Sequence, residues 1–196
     1  MAISSLAVPE TSPVEEERSP GYDPLKYYPA RIGEAIGKYR IISKLGWGAN
    51  STGWLARDTS RWARNLYSQS RTYIRLAKES FQVRVLGDHL CLVFEPLRER
   101  LWLLGKHPGS IGVPSNVLKA FLKILLQGLD FLHSKCYIIH IDLKADNFLT
   151  GFEDATVLKG YTHQQEIHPT LCVFRNGRPT FESRSDFGAL KKGVGS

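Results

Sequence analysis

Very little in this chain of 196 residues points to metal, disulfide or membrane chemistry. Cys91, Cys136 and Cys172 are odd in number, far apart and without a C-x-x-C pair, so neither a disulfide framework nor a zinc site is expected, and a reducing compartment is implied. The histidines form no H-x-x-x-H or H-E-x-x-H pattern. No run approaches the roughly 20 apolar residues that span a bilayer. Lys119 and Lys123 interrupt the greasiest segment. The opening MAISSLAVPE lacks the basic start and long apolar stretch of a signal peptide, so a soluble protein of the cytoplasm and/or nucleus is expected. Internal repeats are absent too. The 26 basic residues never gather into a block of five, so the net charge of +7 reads as a solvated surface that could favour an acidic ligand. Without a nucleic-acid-binding motif, direct nucleic-acid binding is not expected.

What is present is mostly globular: 42% of residues are hydrophobic and 11% aromatic. A chain of this size can bury roughly 70% of its unfolded surface. The first 25 or so residues differ. Ser12-Pro13, the acidic run Glu15-Glu16-Glu17, Ser19-Pro20 and Pro24 leave little to bury, and flexibility is expected there. YRIISKL (39–45) and TGWLARD (52–58), joined by GWGANS, read as a hairpin. ESFQVRV and HLCLVFE follow. In the second, Leu90 to Phe94 is continuously apolar, as in a strand buried on both faces, and Pro96 ends it. Residues 116–133 give the clearest helix, with Val117, Leu118, Phe121, Leu122, Leu125, Leu129 and Leu132 along one side. Pro114 discourages backward extension, Ser115 suits the cap, and the apolar side is expected to pack on a core. After Thr150 the chain turns polar, with only TLCVF and RPTF strand-like.

The stretch IIHIDLKADNFL (138–149) carries His140, Asp142, Lys144 and Asn147 directly after the helix. Phosphoryl transfer needs a carboxylate to orient the attacking hydroxyl, a cation near the moving phosphate and a side-chain oxygen on a metal ion. Asp142, Lys144 and Asn147 suit those three tasks. A polar turn would account for one or two of these residues, not for the set with its apolar flanks. His140 reads as a packed core residue.

This stretch resembles the protein-kinase catalytic loop H-R-D-L-K-x-x-N, with Ile141 in place of the Arg. GKYRIISKLGWGANST followed by WLARD, HLCLVFEPLRE and IDLKADNFLTGFED is similar to the SR-protein kinases, especially fungal-type members, over roughly Tyr27 to Leu190. The resemblance implies an α+β, protein-kinase-like fold: a flexible segment 1–36, a partial β-rich N-lobe 37–97 and a partial helical C-lobe 98–196. It implies a serine/threonine kinase using ATP and Mg²⁺ on protein substrates, Arg/Ser-rich by family. Asp142 and Lys144 would be catalytic and Asn147 a metal ligand. Leu45, Gly46, Trp47, Gly48, Ala49, Asn50 and Ser51 would form the nucleotide loop, and the Glu95 carbonyl and Leu97 N–H would meet the adenine. Gly53 replaces the Val that lids the adenine in the family.

Two parts of the pattern are missing. No strand carries V-A-I-K. Lys78 lies 32 residues after Gly46 with no room for the partner helix, so the lysine strand and helix read as deleted between about Trp62 and Tyr73, leaving Lys78 a surface lysine. Asp186-Phe187-Gly188 follows ESRS rather than a buried strand and reads as a decoy of the metal-binding D-F-G. A truncated, catalytically dead pseudokinase acting as a binding module, or an incomplete gene product, is the alternative.

Overall fold

The computed structural model describes residues 14–48, 51–60, 74–98, 100–104, 112–152 and 154–183. The architecture is α+β, with a small antiparallel β-rich part and a helical part, in keeping with a protein-kinase-like fold. Two compact units result: residues 1–63, 80–92 and 153–196 form one, and residues 64–79 and 93–152 the other. Residues 154–183 group with the N-terminal sheet.

In the first unit, β1 (Ala35–Ile36), β2 (Tyr39–Gly48) and β3 (Ser51–Asp58) form an antiparallel sheet in that order. The β2–β3 ladder runs from Tyr39 opposite Asp58 to Gly48 opposite Ser51, with irregularities between Ile41 and Ser43 and between Lys44 and Gly46. Adjacent strand residues point to opposite faces. Ser43 and Lys44 are nevertheless both fully buried, because the sheet is covered on both sides. On one side, Ser43 Oγ and the Tyr161 hydroxyl share a hydrogen bond of 3.2 Å. On the other, Lys44 Nζ donates to Glu15 Oε2 at 3.2 Å, to Glu16 Oε2 and to the Phe181 carbonyl at 2.9 Å.

The covering elements are a 3-10 turn, a helix and a hairpin. The turn (Glu15–Arg18) buries Glu16, and Val14, Tyr27 and Ala30 are buried as well. Parts of residues 14–36 thus pack against the sheet: an acidic run becomes structural once a buried cation requires it. Helix α1 here is short (Leu101–Leu104), and α2 (Ser115–Cys136) belongs with it to the second unit. The covering helix is α3 (Ala155–Ile167), capped by the Asp154 carboxylate accepting from the Thr156 N–H. Two further strands, β4 (Glu79–Arg84) and β5 (Asp88–Val93), whose residues 80–92 belong to the first unit, pair with each other. The covering hairpin is β6 (Cys172–Arg175) with β7 (Arg178–Phe181). Its two-residue turn, Asn176-Gly177, has φ of 51° and 75°, the left-handed pair that a type I′ turn requires. The supposedly polar stretch after Thr150 therefore supplies much of the core.

β5 is not the doubly buried strand that its composition suggests. Its burial alternates, and Leu90 and Leu92 are 66% and 51% exposed. Helix α2 forms as the apolar spacing dictates, but Pro114 occupies the cap position and Ser115 is already helical, with no side-chain cap. Its apolar side is only partly covered: Phe121, Leu125, Leu129 and Leu132 are half-buried, while Val117, Leu118 and Leu122 at its N-terminal end are exposed.

Candidate active site

Helix α2 ends where Tyr137 takes a left-handed conformation (φ 55°) and the Ile138 N–H closes onto the Leu132 carbonyl at 2.9 Å. The chain then runs without regular secondary structure through Asp142 and makes a 3-10 turn, Ala145–Asn147. Two backbone bonds hold its exit: Leu101 N–H to the Phe148 carbonyl and Arg98 N–H to the Thr150 carbonyl, both 2.8 Å. Arg100 adds an ion pair to Asp146 at 3.3 Å. The loop is thereby fixed at both ends within one unit.

Three sequence-predicted residues meet in this loop. Lys144 Nζ lies 3.0 Å from Asp142 Oδ2. Asn147 Nδ2 donates to the same oxygen at 2.9 Å and to the Asp142 carbonyl at 2.8 Å. The hydrogen bonds from Lys144, and then from Asn147, hold the Asp142 carboxyl below its ordinary range, so it is an anion throughout neutral pH. With the Asn147 amide nitrogen donating to Asp142, its side-chain oxygen is the atom that would serve a cation. That fits Mg²⁺, which takes oxygen ligands and is commonly held by one or two protein oxygens plus substrate phosphates. The site is open: His140 is exposed rather than packed in the core, and Ile141 is 94% exposed.

The other candidates fall elsewhere. Leu45, Gly46, Trp47 and Gly48 end β2 and Ser51 begins β3, so a two-residue connection turns the chain. Its residues Ala49 and Asn50 lie outside the described ones, as do the interval from Trp62 to Tyr73 and Asp186-Phe187-Gly188. The Tyr27 hydroxyl donates to the Gly48 carbonyl at 3.1 Å and so pins the start of the turn, a contact that sequence reasoning missed. Gly53 sits opposite Gly46, leaving this part of the ladder without side chains. Glu95 and Leu97 lie half-buried just past β5. Lys78 is exposed, as expected of a surface lysine, but its Nζ pairs with the Glu95 carboxylate, and Arg75 Nη2 donates to the Glu95 carbonyl at 3.3 Å. Nothing in the spacing of residues 75–78 signals this.

No protein-family model matches the chain. Among curated proteins it is 32% identical to a serine/threonine protein kinase of Aspergillus fumigatus, over 66% of this chain and 40% of that protein. It is 34% identical to serine/threonine-protein kinase SRPK of Physarum polycephalum, over 69% of this chain and 39% of that one. It is 32% identical to SRSF protein kinase 3 of Mus musculus, over 73% and 31% respectively. The chain thus spans well under half the length of these relatives. Together with the loop geometry, these likenesses place the chain in the protein kinase superfamily, among the SR-protein-kinase-like serine/threonine kinases.

Proposed function

We propose that the chain carries the phosphoryl-transfer centre of a serine/threonine protein kinase that moves the ATP γ-phosphate to protein hydroxyls. The observation that carries this reading is the convergence of Lys144 and Asn147 on one oxygen of Asp142. Asp142, held ionised, orients the substrate hydroxyl and accepts its proton. Lys144 is close enough to swing from Asp142 to the transferring phosphate and neutralise charge there. Asn147 would hold Mg²⁺, which when bound bridges phosphate oxygens and offsets their charge. The turn Leu45–Ser51, including Ala49 and Asn50, would present backbone N–H groups to the phosphates, and the Glu95 carbonyl and Leu97 N–H would meet the adenine edge. Likeness to a relative named for SRSF proteins supports Arg/Ser-rich substrates.

A specific observation favours a second reading, a binding module without catalysis. Helix α2 exposes Val117, Leu118, Leu122, Leu126 and Phe131 among the described residues, and large exposed apolar surfaces mark interaction sites. A radiometric assay with an Arg/Ser peptide and Mg-ATP separates the two. Transfer that falls at least about 100-fold in Asp142→Ala, with thermal stability unchanged, supports the kinase reading. No transfer by the parent protein at any concentration overturns it in favour of the module.

A further inference from the structure

The segment before β4 carries two cations, and both are committed to one residue. The Lys78 N–H donates to the Val93 carbonyl at 2.7 Å, which sets the register of this segment against the end of β5. The Lys78 side chain then pairs with the Glu95 carboxylate. Arg75 reaches the main chain instead: its guanidinium lies 4.6 Å from the centre of the Phe94 ring and donates to the Glu95 carbonyl at 3.3 Å. A planar guanidinium suits both tasks, stacking on the ring while its fork of N–H groups points along the ring plane. The contact lies wholly within one compact unit.

We propose that Arg75 is a negative determinant of purine binding, a side chain that occupies the backbone acceptor an adenine would use. This rests on the nucleotide reading of Glu95 given above. A carbonyl has two lone pairs, so one donor does not exhaust it. The exocyclic amine of adenine is also a donor, however, and beside a full positive charge the remaining lone pair is a poorer acceptor for it. The guanidinium must swing off Phe94 before the amine can take its place. Apparent affinity is reduced by the fraction of molecules in which it has done so. The opposite role, a phosphate clamp, would also suit an arginine, but nothing places a phosphate at the Glu95 carbonyl.

The two roles part in a binding experiment on the full chain, using adenosine and Mg-ATP as probes with the parent protein and Arg75→Met, which keeps an unbranched apolar stem without the charged guanidinium. Arg75 is exposed, so folding should survive; Arg75→Ala is a second variant, and far-UV circular dichroism checks both. Adenosine and ATP should both bind about tenfold tighter to the variant, the effect expected from releasing one charge-assisted hydrogen bond. The Glu95 carbonyl ¹³C resonance should move upfield as that bond is lost. Unchanged affinity, or ATP weakened with adenosine unaffected, overturns the proposal and leaves the nucleotide reading standing. Binding of neither probe to any variant overturns both. A ¹³C shift that does not move overturns the contact itself.

Discussion

Helix α2 and the β6–β7 hairpin invert each other. The helix carries a long apolar stripe yet leaves Leu118 and Leu122 of it 43% and 47% exposed, with Leu126 beside it at 64%. The hairpin follows a polar helix, is flanked by Thr170 and Glu182 and contains Arg175 and Arg178, yet Cys172 and Val173 are 1% and 2% exposed. Apolar spacing determines which face of an element could be buried, whereas a partner of matching shape determines whether it is. The hairpin has such partners in β2, Trp54 and the acidic turn, and among the described residues α2 has no comparable cover.

The largest effect should come from the charge under the hairpin. Lys44 is fully buried between Glu16, Glu15 and the Phe181 carbonyl, so Glu16→Ala leaves a cation short of a partner and should cost about 3 kcal/mol or more in urea denaturation. Joint replacement, Lys44→Met with Glu16→Leu, should cost much less, because removing both partners strands fewer charges. The direct comparison comes next. Val173→Ala should destabilise by about 2 kcal/mol, and Leu126→Ala on α2 by less than about 0.5 kcal/mol, although the second removes more apolar atoms. Equal losses in thermal melts would break the contrast drawn here.

The cysteines sharpen the same comparison chemically. Cys136, at the end of α2, is exposed and should react with a maleimide while the protein is native. Burial pushes the Cys172 thiol up to about 11 from an ordinary value of 9.0, so it should react only after unfolding. The sign follows. Between these values the unfolded chain gives up this proton while the folded one keeps it, so this contribution to stability is intact below pH 9 and is lost as pH rises toward about 11. Denaturation curves across that window check it. Gly53→Val should act in the opposite direction. A Cβ there would meet only the Gly46 carbonyl at 3.7 Å, an ordinary contact, so the change should stabilise β3 by up to about 1 kcal/mol.

The sequence made the catalytic loop legible because its information is local: Asp142, Lys144 and Asn147 interact across five residues or fewer. Helix α2 and the β2–β3 hairpin were readable for the same reason, from spacing and turn residues. Asn176-Gly177, between two strand-like runs, was a readable hairpin signal too. What no pattern announces is a tertiary demand. Nothing in YRIISKL says that its lysine is buried, and so nothing in EEER says that its first two glutamates leave solvent to meet it. The Arg75 contact is hidden in the same way: a basic residue before a strand looks solvated until the backbone opposite it offers an acceptor.

The buried lysine also dictates an order of events. Its partners lie 28, 29 and 137 residues away along the chain, and the Glu15 carboxylate that helps hold it also accepts from Ser183, 168 residues distant. Helix α2 can wind as soon as its own residues exist, but this cluster can close only after nearly the whole described chain has been made, and such long-range closures are slow. On the ribosome, the N-terminal sheet waits for the β6–β7 hairpin before it can shut its core.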